Sequence, residues 1–209
     1  MGKLGLKRKT NKRNQNPRFL VVSEGEVTEF HYLGAVKRLR RIPSADLVML
    51  PPGPTSPREI VEKARDLRKD SSKSDAFDSV WCIFDVEAKI SQKGRHGLAP
   101  ALEMAKDNRI LVALSNPCIE IWILLHDEDH QAWICSDKVQ SRCAELKLID
   151  KKHIVSPDKL LLHYSVARER AVSLDAKHDR DGRSDAQDRN PSSGVYKLVD
   201  ALLKAFPPH

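Results

Sequence analysis

Five apolar residues in a row, Val80, Trp81, Cys82, Ile83 and Phe84, run directly into Asp85, and Glu87 follows two positions later. A short unbroken run rich in β-branched and aromatic side chains reads as a strand covered on both faces. Such strands belong to parallel sheets, whose binding sites lie at the carboxyl ends of the strands. Asp85 and Glu87 fall at that end. Residues two apart on an extended chain point the same way, so both carboxylates aim at one point. Like charges held that close repel, and a divalent cation relieves them. The competing reading is a pair of ordinary loop acids.

A second stretch repeats the pattern upstream. Phe19, Leu20, Val21, Val22 and Ser23 form a short apolar strand that ends in Glu24, Gly25 and Glu26. Gly25 is expected to take a positive φ in a tight strand-to-helix turn, and Thr28 to cap a helix over 28–41. If the two strands are neighbours, Glu24, Asp85 and Glu87 share one crevice. Three carboxylates make an oxygen-ligand site suited to Mg2+ or Mn2+.

The rest of the chain alternates strand and helix. Further strands are predicted near 46–50 and 110–114, and a helix over about 98–107. Ser56, Pro57 and Glu59 announce a capping box with proline at the first helical position. This order predicts an α/β fold with a mainly parallel four-stranded sheet flanked by helices. Asn116 and Pro117 read as cap and first position of another helix, whose run from Cys118 to Leu125 is apolar except for Glu120. A buried carboxylate is costly unless it meets a cation, a metal or donors, so Glu120 is favoured as a site residue over a surface acid. His126, which ends the run, reads as a packed or capping histidine.

Residues 19–127 thus form the α/β core, with 128–209 a helical part packed on it. Apolar stripes mark helices through Leu160–Leu174 and Val195–Phe206, and the charged stretch from Asp175 to Arg189 predicts a mobile loop. No apolar run approaches the roughly 18 residues of a membrane span. The four cysteines form no CxxC pair and read as reduced structural thiols of a cytoplasmic protein. The spacing of His126, His130, Cys135 and Cys143 fits no common zinc finger. Residues 1–18 hold Lys3, Lys7, Arg8, Lys9, Lys12, Arg13 and Arg18 and no acid. That accounts for the whole formal charge of +7, because the other 29 bases are matched by 29 acids. The segment reads as a disordered basic tail suited to phosphate backbones, or as solvated terminal charge.

Four stretches together resemble the RloB-like family, whose core is similar to the Toprim domain of topoisomerases, primases and OLD-type nucleases. They are the run from Leu20 to Glu29, the run from Trp81 to Glu87, the run from Ser115 to Trp122, and the run from Asn190 to Tyr196. The resemblance implies that Glu24 acts in acid–base chemistry or binds metal, and that Asp85-Val86-Glu87 stands where Toprim domains carry Asp-x-Asp for magnesium. Glutamate replaces the second aspartate, which keeps the charge and lengthens the reach. It further implies a bacterial or archaeal phage-defence setting of the abortive-infection kind, often beside restriction genes or with an ATPase partner.

The reading that follows is a Mg2+- or Mn2+-dependent nuclease acting on DNA or RNA. Glu24, Asp85 and Glu87 hold metal, with Glu24 and Glu120 as catalytic acids. Lys89 adds a cation near the transition state, unless it is simply solvated. The alternative is a non-catalytic nucleic-acid-binding or ATPase-partner module of the same shape. An aspartate-based phosphatase would want a second aspartate and a threonine soon after Asp85, which Val86-Glu87-Ala88 does not supply. No Walker A loop or GxGxxG is present, which argues against ATP hydrolysis by this chain. Removal of residues 1–17 is expected to leave the fold intact while weakening nucleic-acid binding and flattening its salt dependence. Binding isotherms at several salt concentrations check this, and an unchanged slope would reduce the tail to a solvated terminus.

Overall fold

A computed structural model of the chain describes residues 16–25, 27–50, 56–72, 75–86, 97–151 and 153–208. Strands β1 (Phe19–Ser23), β2 (Leu47–Leu50), β3 (Ser79–Asp85) and β4 (Leu111–Asn116) lie close to the predicted positions. They alternate with helices α1 (Thr28–Leu39), α2 (Pro57–Asp70) and α3 (Leu98–Asp107). A short strand near the other end of the chain, β7 (Ser192–Ser193), completes a five-stranded sheet of order β2-β1-β3-β4-β7. All pairings are parallel except β4 with β7. The expected four strands therefore become five. The remaining elements are α4 (Glu120–Leu124), α5 (Ser136–Glu145), the β5–β6 hairpin (Ile149–Asp150, His153–Ile154), α6 (Pro157–Leu161), α7 (Tyr164–Arg180) and α8 (Val195–Ala205).

The sheet is buried on both faces because its strands are apolar at successive positions. Phe19, Val21, Trp81 and Ile83 pack into one core with α1, α4, α7 and α8; Leu20, Val22, Cys82 and Phe84 pack into the other with α2 and α3. Residues of the carboxyl-terminal part, from Ile134 to Phe206, lie in the first of these cores. From β1 the chain steps out to β2, and from β3 it steps the opposite way to β4. Strand order thus reverses between β1 and β3, and a reversal of this kind opens a crevice at the carboxyl ends of the strands beside it. The capping box at Ser56 forms as predicted: its Oγ accepts from Glu59 N–H at 3.3 Å, and Glu59 Oε2 accepts from Ser56 N–H at 3.2 Å.

Several local expectations are corrected. Gly25 does not take a positive φ; among the described residues only Gly97 and Gly182 do so as glycines. Thr28 is the first residue of α1 and not its cap, and its hydroxyl is turned to Glu120. Arg18 belongs to the folded body: its N–H donates to Asp78, its guanidinium donates to the carbonyls of Ala45 and Asp75, and it lies over the Phe77 ring. The predicted basic tail before Asn16 lies outside the described residues. Asp175 to Arg189 is no loop throughout, since α7 runs on to Arg180. Its buried stripe of Ala167, Ala171 and Leu174 continues one turn further to His178, whose Nε2 donates to the Pro191 carbonyl at 2.8 Å. The charges there pair with one another: Arg189 donates to Asp179 Oδ1 at 2.7 Å and to the Asp175 carbonyl at 3.0 Å.

Asn116 also departs from its expected role. It does not cap a helix; α4 starts at Glu120, and Asn116 lies buried in the last position of β4. Its Nδ2 donates to the carbonyls of Ala186 and Gln187, and its Oδ1 accepts from Asn190 Nδ2 at 3.0 Å. Asn190 in turn accepts from Ile134 N–H at 3.0 Å and donates to the Ile134 carbonyl at 2.9 Å. The two Asn-Pro motifs thus meet and bind the end of β4 to the carboxyl-terminal part. Among the described residues no helix is long and apolar enough to cross a membrane. Replacing Asn190 with alanine leaves Asn116 Oδ1 and both main-chain groups of Ile134 without this partner. The expected cost is about 3 kcal/mol, from the price of unsatisfied buried polar groups, read as a lower urea midpoint with unchanged slope.

Candidate active site

The crevice between β1 and β3 is lined with carboxylates, each delivered by a different element. Glu24 follows β1 directly. Its N–H donates to the Ile83 carbonyl at 3.0 Å, which carries the β1–β3 ladder one residue beyond the strand. Its Oε2 accepts from Asp85 N–H at 3.4 Å, so the ends of the two central strands are joined through Glu24. Ser23 Oγ donates to the Gly25 carbonyl at 2.9 Å and tightens the turn into α1.

Glu29, in the first turn of α1, folds back over this turn and is only 5% exposed. Its carboxyl group occupies the space where a side chain on Gly25 would begin. What Gly25 supplies here is room for the Glu29 carboxyl, which any side chain at this position would have to displace, and not a special backbone conformation. Glu120, the first residue of α4, is 3% exposed, and its Oε1 accepts from Thr28 Oγ1 at 3.3 Å. Asp85 ends β3. As a residue it is partly exposed, but its Oδ1 is sealed from solvent and has no hydrogen-bond partner among the described residues.

Burial and mutual repulsion act on these acids together. Desolvation, with the charges of Glu120 and Glu24 adding to it, raises the Glu29 carboxyl from 4.5 to about 6 against the pull of main-chain N–H groups at Glu29 and Gly25. Asp85 is raised well above the usual carboxylate range by burial first, then by Glu29, Glu120 and Glu24, while a main-chain bond from Ile119 pulls it down. Cys118 stands at the same place. Burial, with Glu120 and Asp85 adding to it, pushes its thiol far up, so it stays protonated.

Of the predicted site residues, Glu24, Asp85 and Glu120 come together. Glu87 and Lys89 lie outside the described residues. Sequence reasoning passed over Glu29 and Cys118 as site residues. The signal for Glu29 was available, because an acid in the first turn of the helix leaving β1 faces the same end of the sheet, as Glu120 does after β4. His126 is a packed residue as expected. Its Nδ1 donates to the Trp122 carbonyl at 2.8 Å, its Nε2 accepts from Tyr32 Oη at 3.0 Å, and burial lowers it to about 4. All four cysteines are free thiols.

The donor set around Asp85 consists of carboxylate oxygens, the chemistry of a hard divalent cation. A buried, unpartnered Asp85 Oδ1 under the charge of three further acids is a group that such an ion would satisfy. Among the described residues, no three His, Cys, Asp or Glu side chains already stand around one ion position. This holds for His126, His130, Cys135 and Cys143 as well as for the four acids.

Fold and site together define an α/β protein with an acidic crevice at the reversal point of a mostly parallel sheet. A family model described as RloB-like protein matches residues 19–202, nearly the whole chain. The chain belongs to the RloB-like family. No curated protein matches it, and no solved structure does.

Because the fold raises the Glu29 pKa, the folded state binds more protons than the unfolded state between about pH 4.5 and 6. Its contribution to stability is fully present below pH 4.5 and is lost as pH rises through 6. A shift of this size corresponds to about 2 kcal/mol. In chelator-treated protein, Glu29→Gln is therefore expected to remove part of the stability difference between pH 4.5 and pH 7.5. Paired urea titrations of wild type and variant check it.

Proposed function

We propose that this protein is a Mg2+- or Mn2+-dependent nuclease that hydrolyses phosphodiester bonds in DNA or RNA. The observation that carries the reading is the gathering of Glu24, Glu29, Asp85 and Glu120 at the carboxyl ends of adjacent central strands, with Asp85 Oδ1 buried and without a hydrogen-bond partner among the described residues. Asp85 and Glu24, joined by Glu87, are the residues that would hold the ion. When bound, such an ion supplies charge neutralisation on phosphoryl oxygens and acidifies water. Glu29, at about 6, exchanges its proton near neutral pH, the range a general acid or base needs. Glu120 is oriented by the Thr28 hydroxyl at one oxygen and receives the Cys118 thiol as a donor. Lys89 remains the cation proposed for the transition state.

The wider reading follows the family resemblance: a Toprim-like core, a cytoplasmic phage-defence setting of the abortive-infection kind, and an ATPase partner supplying what this chain lacks. A second reading, a non-catalytic nucleic-acid-binding or ATPase-partner module with the same core, draws on one observation. Among the described residues, no three acids already surround a single ion position.

Purified protein with Mg2+ or Mn2+ is expected to cleave at least one member of a panel of DNA and RNA substrates. Asp85→Asn and Glu24→Gln should each lower the rate about a hundredfold or more, with the chelator-treated variants as stable as wild type or more so. Metal-dependent thermal stabilisation in wild type, absent from Asp85→Asn, is the accompanying readout. Nucleic-acid binding without metal-dependent cleavage in wild type would select the binding module.

A further inference from the structure

A separate cleft of about 160 Å³ opens where the β5–β6 hairpin and α6 pack beside the carboxyl-terminal end of α4. It shares no lining residue with the acidic crevice: Glu120 begins the buried segment that contains α4, and His126, just beyond its end, lines the cleft. Lys147, Lys159, Ser156, His163 and Asp127 line the rest of its polar wall, with Leu148, Ile154 and Leu160 beneath. The side chains of Lys147, Lys159, Ser156 and Asp127 make no hydrogen bond or ion pair with any other described residue. His126 brings polarity without charge, since both ring nitrogens are engaged, one donating to Trp122 and the other accepting from Tyr32.

Two exposed lysines, a serine and His163 therefore line the same open cleft as the buried His126, and among the described residues Asp127 is the one carboxylate in its wall. Lysines of this kind bind phosphate as point charges carrying several donors. The cleft is smaller than the roughly 300 Å³ at which pockets for drug-sized ligands start, and it is open to solvent, so it suits a small anionic group whose remainder extends outward. Asp127 narrows the chemistry further. A carboxylate repels a fully ionised oxyanion but accepts a hydrogen bond from P–OH, which hydrogen phosphate and protonated monoesters carry, and which sulfate and internucleotide diesters lack.

We propose that this cleft is a phosphate-binding site, taking inorganic phosphate or a terminal phosphomonoester through Lys147, Lys159, Ser156 and His163, with Asp127 receiving the P–OH. The inference does not rest on the hydrolytic reading of the acidic crevice. Isothermal titration of the full chain with inorganic phosphate is expected to show saturable binding. Sulfate should bind more weakly. The double variant Lys147→Gln/Lys159→Gln should lose affinity about tenfold or more while keeping the melting temperature of unliganded wild type, because neither ammonium group has a partner among the described residues. Asp85→Asn should bind phosphate as wild type does, which separates this site from the crevice. Absence of saturable binding in wild type, or equal binding in the double variant, would overturn the proposal. Competition then identifies the source. Displacement of phosphate by a 5′-phosphorylated oligonucleotide but not by its unphosphorylated counterpart supports a nucleic-acid end, and displacement by neither supports a small phosphorylated molecule. Equal displacement by both would mean that a backbone diester occupies the cleft and would overturn the monoester assignment.

Discussion

Four carboxylates crowded at the ends of β1 and β3 set the terms for the rest of this structure, because burying like charges together opposes folding unless the surroundings answer it. The answers are local and specific. The Asp85 N–H supports Glu24 from the neighbouring strand, and the Thr28 hydroxyl supports Glu120 across 92 positions of sequence. Glu29 draws on main-chain donors at the start of α1, where the helix macrodipole also favours an anion. Asp85 receives a main-chain bond from Ile119, while its Oδ1, sealed from solvent, has no donor among the described residues. The proposed cation chemistry grows from that one buried oxygen.

The acids can stand together because the sheet beneath them is held at both ends of the chain. Arg18 ties the entry to β1 onto the loops before β2 and β3. At the other side, Asn116 and Asn190 join the end of β4 to β7 and to the loop before α5. Ser115, which pairs with Asp85 in the sheet register, also pairs with Ser193 in β7. The last third of the chain is thus coupled to the acidic crevice by the β4–β7 pairing, and also by Cys143 of α5, whose Sγ donates to the Glu120 carbonyl at 3.4 Å. This explains why the run from Asn190 to Tyr196 belongs with the three stretches near the site, although it contributes no carboxylate to it.

The segment from Glu120 to His126 plays a different part. It is buried along its length, with Trp122 packed edge-on against Tyr32, His126 and Tyr164. One end presents an acid to the crevice and the other a neutral imidazole to the cationic cleft. A densely packed segment of this kind keeps two sites of opposite charge at a fixed separation.

What the sequence by itself determined was whatever short-range pattern encodes. The apolar runs at Phe19–Val22 and Val80–Phe84 are strands because a strand buried on both faces has no polar position to spare, and the Ser56 capping box is complete within four residues. The placement of Glu24 and Asp85 at carboxyl ends followed from the same runs, as did the isolation of Glu120 in an apolar segment. Tertiary structure decided what depends on partners distant in the chain. Glu29 looked like an ordinary first-turn acid until burial and Glu120 gave it another environment. Gly25 was read for its backbone freedom, whereas its lack of a side chain makes room for the Glu29 carboxyl. Asn116 had the local form of a helix cap, but Asn190, 74 positions away, claims its side chain. The stretch from Asp175 to Arg189 carried the composition of a solvated loop, and only Arg189, folding back onto Asp175 and Asp179, shows that its charges satisfy one another. Local propensity and periodicity act over one turn or one strand; a buried polar or charged group is settled by whatever the fold brings against it.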